Sequence, residues 1–150
     1  MTKARSSPVA SPVPTQKKTI ATQYPNLITL DSSCWLEYFM DSERASLYAP
    51  ALAKTEQLIV PLITVYEVYK KLRRELSDAF AREAIGLMRQ GELVEADLTI
   101  TLAAAAHTEL AMADSLIYAT AQHHHAVVWT QDAHFEKLSG VKFFRKTPSH

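Results

Sequence analysis

Glycine is scarce in this chain. Gly86, Gly91 and Gly140 are the only three among 150 residues, and no two lie close enough to build a phosphate-cradling loop. Dinucleotide and P-loop fingerprints are thereby excluded. A single cysteine, Cys34, rules out a disulfide framework within the chain and suits a reducing compartment, so the cytoplasm is expected. No apolar run approaches the roughly 20 residues of a membrane span, and no apolar stretch follows Lys3 and Arg5 to make a secretory signal. No membrane partner is expected. Net charge is also missing, at +0 overall, but it is unevenly spread. Residues 1–25 hold four of the 16 basic side chains and no acid, which leaves 12 basic against 16 acidic residues in the remainder, a balance of −4. A nucleic-acid binder working by charge alone is strongly basic. If this core acts on nucleic acid, its acids have a specific task, and metal binding is the first to consider.

What is present is an ordinary globular balance, 47% hydrophobic and 21% charged, with enough chain for one domain. Four of the seven prolines fall in residues 1–25, whose composition buries no core and reads as a mobile tail. The ordered domain is expected over 26–146. Short apolar runs at 27–30, 57–60, 93–96 and 126–130 read as strands, with an edge strand at 141–144. Helical patterns fall between them at 35–40, 43–54, 62–76, 79–90, 99–110 and 114–124, with a short helix at 132–138. Strands separated by helices predict an α/β fold, a three-layer α/β/α sandwich with a central parallel sheet.

Open parallel sheets bind ligands beyond the carboxyl ends of their strands. Asp31 directly follows the first strand, and Asp132 follows the fourth by two residues. Glu67 lies in the second turn of the helix after strand two, and Asp114 in the first turn of another helix. Unpaired, four such carboxylates repel and raise one another's pKa. A hard divalent cation removes that conflict, and two ions about 3.5–4 Å apart are the usual device for in-line attack on a phosphodiester. Simpler roles exist for each residue: Asp114 as a helix cap, Glu67 paired with Lys71 at i,i+4. Asp41, Asp78, Asp97 and Glu109 are further acids that spacing alone does not set apart.

Local sequence separates them. Leu30-Asp31-Ser32-Ser33-Cys34-Trp35, Val65-Tyr66-Glu67-Val68, Met112-Ala113-Asp114-Ser115-Leu116-Ile117 and Val128-Trp129-Thr130-Gln131-Asp132-Ala133-His134-Phe135 occur in that order. Together they resemble the four acidic segments of PIN-domain ribonucleases, across residues 27–144, and the size resembles the VapC-type toxins. One departure is Glu109-Leu110-Ala111-Met112 before Asp114, where the family often carries a glycine or a basic residue. The resemblance implies Mg²⁺ or Mn²⁺ held by the catalytic acids Asp31, Glu67, Asp114 and Asp132, with Ser33 and Thr130 as supporting hydroxyls. It implies an RNA substrate, a cognate antitoxin and a homodimer. For the dimer, Leu47, Tyr48 and Leu52 are surplus apolar residues. Lys70, Lys71, Arg73 and Arg74 form the densest basic run and read either as an RNA-contacting rim or as a solvated helix face.

Other features have plainer readings. Neighbours in the run His123-His124-His125 point about 100° apart, so the three cannot share one ion. Cys34, Trp35, Tyr38 and Phe39 read as core, not as a reactive thiol or base-stacking platform. An aspartyl-nucleophile phosphohydrolase wants a second Asp two residues after Asp31, and position 33 is Ser. A PIN-fold module that binds RNA or protein without cleavage is the alternative, as is a housekeeping RNA-processing nuclease. Limited trypsin digestion should cut at Lys17 or Lys18 and leave a core with its thermal transition intact; loss of that transition on cutting would overturn the division at residue 26.

Overall fold

The computed structural model of the chain describes residues 26–146, so the expectation for residues 1–25 lies outside it. The apolar runs become five strands of three or four residues: β1 (Ile28–Leu30), β2 (Ile59–Pro61), β3 (Glu92–Val94), β4 (Val127–Thr130) and β5 (Val141–Phe143). All pairings between them are parallel. A parallel bridge from Ile28 to Leu58 joins the β1-β4-β5 ribbon to the β2-β3 ribbon, giving the order β3-β2-β1-β4-β5. The chain winds outward from β1 to β3 and then resumes on the other side of β1. That reversal, between β1 and β4, is where such sheets open a crevice at their carboxyl edge.

Among the described residues, six α-helices surround the sheet: α1 (Ser32–Phe39), α2 (Ala45–Leu52), α3 (Leu62–Glu75), α4 (Asp78–Met88), α5 (Leu98–Ala105) and α6 (Met112–His123). Alternation along the strands distributes them over two faces. Leu30, Leu58 and Val60 join Cys34, Trp35, Val68, Leu72 and Met88 in one apolar cluster under α1 to α4. Ile59 and Val128 point the other way, into a cluster with Tyr118, Ala121 and Phe135 beneath α6. The three-layer sandwich expected from the strand–helix alternation is thus the architecture that forms.

Several boundaries differ from expectation for local reasons. α1 begins at Ser32, not Trp35, because the Asp31 carboxylate itself is the cap and accepts from the Cys34 backbone N–H at 3.0 Å. β3 starts one residue early and is short, since Glu92 pairs with Ile59 and Asp97 must already cap α5. α5 stops at Ala105, where the chain turns to lay Leu110 into the core before α6. The helix expected at 132–138 is a single 3₁₀ turn, Ala133–Phe135. Two of the three residues expected to form a dimer surface are core: Tyr48 is 0% exposed and Leu52 is 8% exposed. Tyr48 turns inward because its ring packs edge-on against Phe144 and its hydroxyl finds Gln131. Leu47 does stay exposed, and the most exposed apolar side chains are Leu98, Leu102 and Met112.

Gly91 does more than end a helix. A Cβ there would stand 2.9 Å from Val60 Cγ2, in the strand β3 pairs with, and 3.1 Å from the carbonyl oxygen of Leu58, the residue just before that strand. Gly91→Ala should therefore cost about 1–3 kcal/mol, read as a lower urea midpoint. Gly86→Ala is the contrast. Its Cβ meets nothing within 4 Å, so a gain of about 0.5–1 kcal/mol is expected from helix propensity.

Candidate active site

The end of β1 delivers Asp31 into the crevice, 4% exposed. A carboxylate so deeply placed needs donors on every side. Cys34 N–H and the Ser33 hydroxyl, at 3.0 and 2.7 Å, donate to Oδ1, and the Thr130 hydroxyl donates to Oδ2. The two supporting hydroxyls expected from sequence therefore both converge on Asp31. Thr130 also accepts from the Asp132 backbone N–H at 3.0 Å, so one hydroxyl ties together the acids that follow β1 and β4.

Glu67 projects from the second turn of α3 and accepts from the Ser32 hydroxyl. Its alternative role as partner of Lys71 does not occur, because Lys71 pairs with Glu75 at 3.5 Å. Asp114 sits in the first turn of α6, whose cap is Ala111, and it makes no capping hydrogen bond. Its role as a helix cap is thereby removed. Asp132 caps the 3₁₀ turn through the His134 N–H and meets His134 Nδ1, both at 2.9 Å.

All four acids line one cavity of about 660 Å³, with Lys70, Lys71, Arg74 and Lys146 on its rim. Their mutual field is visible in Asp114. Burial, and then the charges of Asp132, Asp31 and Glu67, push its pKa up to about 6, against a small opposing pull from His134. Among the described residues, no three His, Cys, Asp or Glu side chains close on a single point to hold an ion. The donors are nonetheless all oxygen and mutually repelling, which matches a hard cation that keeps part of its water shell. The remaining acids serve elsewhere. Asp97 caps α5 at 2.8 Å, Glu109 lies 3.7 Å from His107, and Asp78 binds Arg82 at 2.8 Å. Arg73 turns to Asp78 as well, outside the cavity wall, so the basic run is divided.

Three contributors were not read from sequence. Ser32 carries no site role in the sequence reading, yet its hydroxyl donates to Glu67. Lys146 reaches the rim from beyond β5. Gln131 is buried beside Asp132. Its Oε1 accepts from Arg44 Nε at 2.6 Å and the Tyr48 hydroxyl at 2.8 Å, and its Nε2 donates to Glu37 at 2.7 Å. Arg44 also donates to the Phe144 carbonyl at 2.9 Å. A glutamine flanked by Thr130 and Asp132 was the available signal.

Residues 28–141 match the PIN domain family, and the chain belongs to it. No curated protein matches in sequence. Among solved structures, a toxin–antitoxin complex from Klebsiella pneumoniae aligns with a TM-score of 0.65 at 22% identity, covering 77% of this chain and 95% of that one. DNA-bound VapBC from Salmonella typhimurium gives 0.62 at 17% identity, covering 79% and 97%. Mycobacterium tuberculosis VapC20, described as a sarcin–ricin loop cleaving toxin, gives 0.56 at 14% identity, covering 66% and 84%. At these identities the likeness is one of fold, the PIN fold shared with VapC-type proteins.

The raised pKa of Asp114 has a defined sign. A carboxyl whose folded pKa of about 6 exceeds its ordinary 3.8 binds more protons folded than unfolded. Metal-free stability should therefore fall as pH rises from about 4 to 6 on this account. Asp114→Asn removes the penalty. Because Asp114 is only half-buried, the gain at pH 7.5 should be about 1 kcal/mol after screening, fading below pH 4. Urea denaturation in EDTA at the two pH values checks it; a loss of stability at pH 7.5 would restore the capping role.

Proposed function

We propose that this PIN-domain protein is a divalent-metal-dependent endoribonuclease and the toxin of a toxin–antitoxin pair. The observation that carries the reading is the convergence of Asp31, Glu67, Asp114 and Asp132, from four separate segments, on one cavity rimmed by lysines and arginine. Mg²⁺ or Mn²⁺ held by these four carboxylates would supply activation of the attacking water and neutralise charge on the phosphoryl oxygens. The chain's own residues prepare the site. Ser33, Thr130 and the Cys34 N–H lock Asp31, and Ser32 locks Glu67. Lys70, Lys71, Arg74 and Lys146 face the cavity and offset phosphate charge as RNA approaches.

No side chain there serves as a nucleophile. Cys34, the one thiol, is buried, and burial followed by the Asp31 charge pushes its pKa up, so it stays protonated. Direct hydrolysis is the consistent chemistry, with the bond to the 3′ oxygen breaking to leave a 5′-phosphate and a 3′-hydroxyl. The fold likeness to chains from toxin–antitoxin complexes supports an antitoxin protein as partner. The homodimer remains part of the proposal, without support from Tyr48 or Leu52. A cytoplasmic site of action fits, and among the described residues no helix is long and apolar enough to cross a membrane.

Adding Mn²⁺ or Mg²⁺ should raise the melting temperature of the wild type, by the equivalent of about 2.7 kcal/mol at a hundredfold excess over Kd. Asp31→Asn and Asp114→Asn should gain much less. Their cleavage of single-stranded RNA should fall by roughly two orders of magnitude or more, and excess EDTA should abolish wild-type cleavage. Full cleavage by Asp114→Asn, or by wild type in EDTA, would overturn the metal-nuclease reading in favour of metal-independent chemistry, whereas a wild type that binds RNA and cleaves none would favour the binding module.

A further inference from the structure

The outer face of α3 carries Tyr66, Tyr69, Lys70 and Arg73 at helical spacing, an aromatic and basic stripe beside Glu67. Tyr66 is 57% exposed, an unusual position for a ring that large. It stands at the border of two cavities. One is the acidic cavity. The other, of about 370 Å³, lies between α3 and α4 and is walled by Tyr66, Tyr69, Arg82, Gly86 and Arg89.

The two tyrosines differ in what already holds them. The Tyr69 hydroxyl donates to Asp78, and the Arg82 guanidinium lies 5.8 Å from its ring centre. Tyr66 is 57% exposed and is held by the flexible Lys70, whose ammonium donates to the Tyr66 hydroxyl at 3.4 Å and lies 5.5 Å from its ring centre. Gly86 adds an independent observation. No side-chain or backbone atom approaches the place its Cβ would occupy, so packing does not call for a glycine there. Mid-helix glycine destabilises a helix relative to alanine, and what it leaves in this wall is room.

We infer that Tyr66 is a base-stacking platform and that the cavity between α3 and α4 is a subsite for a nucleotide flanking the scissile phosphate. The inference rests on the ribonuclease reading and deepens it. An exposed ring with Lys70 beside it, on a cavity that Arg89 also walls, matches the two parts of a nucleotide, a flat base and an anionic phosphate. Every base offers a π-face, so such a platform binds single strands with little regard to sequence. Because Tyr66 borders both cavities, a strand crossing from one to the other passes over its ring. Arg89 then lies on the far side from the four acids, where the next phosphate must go, while Arg82 is held by Asp78.

The test uses the full chain with Mn²⁺ and a short single-stranded RNA. Tyr66→Leu keeps the bulk and removes the π-face, and should raise KM roughly tenfold, while Tyr66→Phe restores it. The decisive arm is a set of RNAs each carrying one abasic nucleotide. At one position the abasic RNA should raise the wild-type KM by the same factor and add nothing to Tyr66→Leu. Arg89→Gln should flatten the dependence of log KM on log salt by about 0.7, one phosphate contact on a single strand. Cleavage by Tyr66→Leu with an unchanged KM overturns the subsite and leaves the ribonuclease reading standing. A raised KM with no position-specific abasic effect also overturns it, since the tyrosine then acts on the fold or on a polypeptide partner. A wild type that cleaves no RNA removes both readings.

Discussion

The structure turns on one buried carboxylate. Asp31 stands where β1 ends and α1 begins, and an ionised group at that depth is tolerable only when it is hydrogen-bonded on all sides. Its Oδ1 starts α1 by capping the Cys34 N–H, and its Oδ2 receives Thr130 from the neighbouring strand. The Asp31 N–H in turn donates to the Trp129 carbonyl at 3.1 Å, extending the β1–β4 pairing one step beyond the sheet. A single residue thus caps a helix, seals the switch point of the sheet and presents acid to the cavity. Capping the helix and lining the cavity are one arrangement for this residue.

Around Asp31 the fold sustains an electrostatic conflict. Asp114 is half-buried among three other acids, and burial first, then their charges, raise its pKa. Repulsion of this kind favours the unfolded chain unless cations answer it. The permanent answer is partial and sits on the rim, where α3 turns Lys70, Lys71 and Arg74 toward the cavity that its own Glu67 helps to line. Glu75 holds Lys71, so the cations are not spent on Glu67. The acids are left available, and binding of a divalent cation would then be coupled to stability as well as to chemistry.

A second polar network steadies the other wall. Gln131 lies next to Asp132, yet its partners come from α1 (Glu37), the α1–α2 connection (Arg44) and α2 (Tyr48). Arg44 extends the network to the carbonyl that follows β5. The Gln131 side chain uses both its carbonyl and its amide group, and a satisfied network of this sort rigidifies its surroundings. The loop bearing Asp132 is therefore held from one side by Thr130 and from the other by Gln131.

Much of this was legible from local pattern. Short apolar runs, the first closed by Asp31, marked strands, and the helices between them implied a parallel sheet, because sheet periodicity and cap chemistry act over a few residues. The resemblance of four segments to those of PIN-domain ribonucleases also singled out the four residues that share the cavity. What sequence could not separate were roles that depend on distant partners. Spacing on α3 allowed Glu67 to pair with Lys71, but the approach of α1 brought Ser32 to it instead. Tyr48 and Leu52 read as a surface until the chain folded back and buried them. Gln131, Lys146 and Tyr66 gained their places only when β4, the segment after β5 and α3 were set around one crevice. Periodicity and capping are properties of a segment and can be read along the chain; a shared cavity is a property of several segments at once, and only packing determines which side chains meet there.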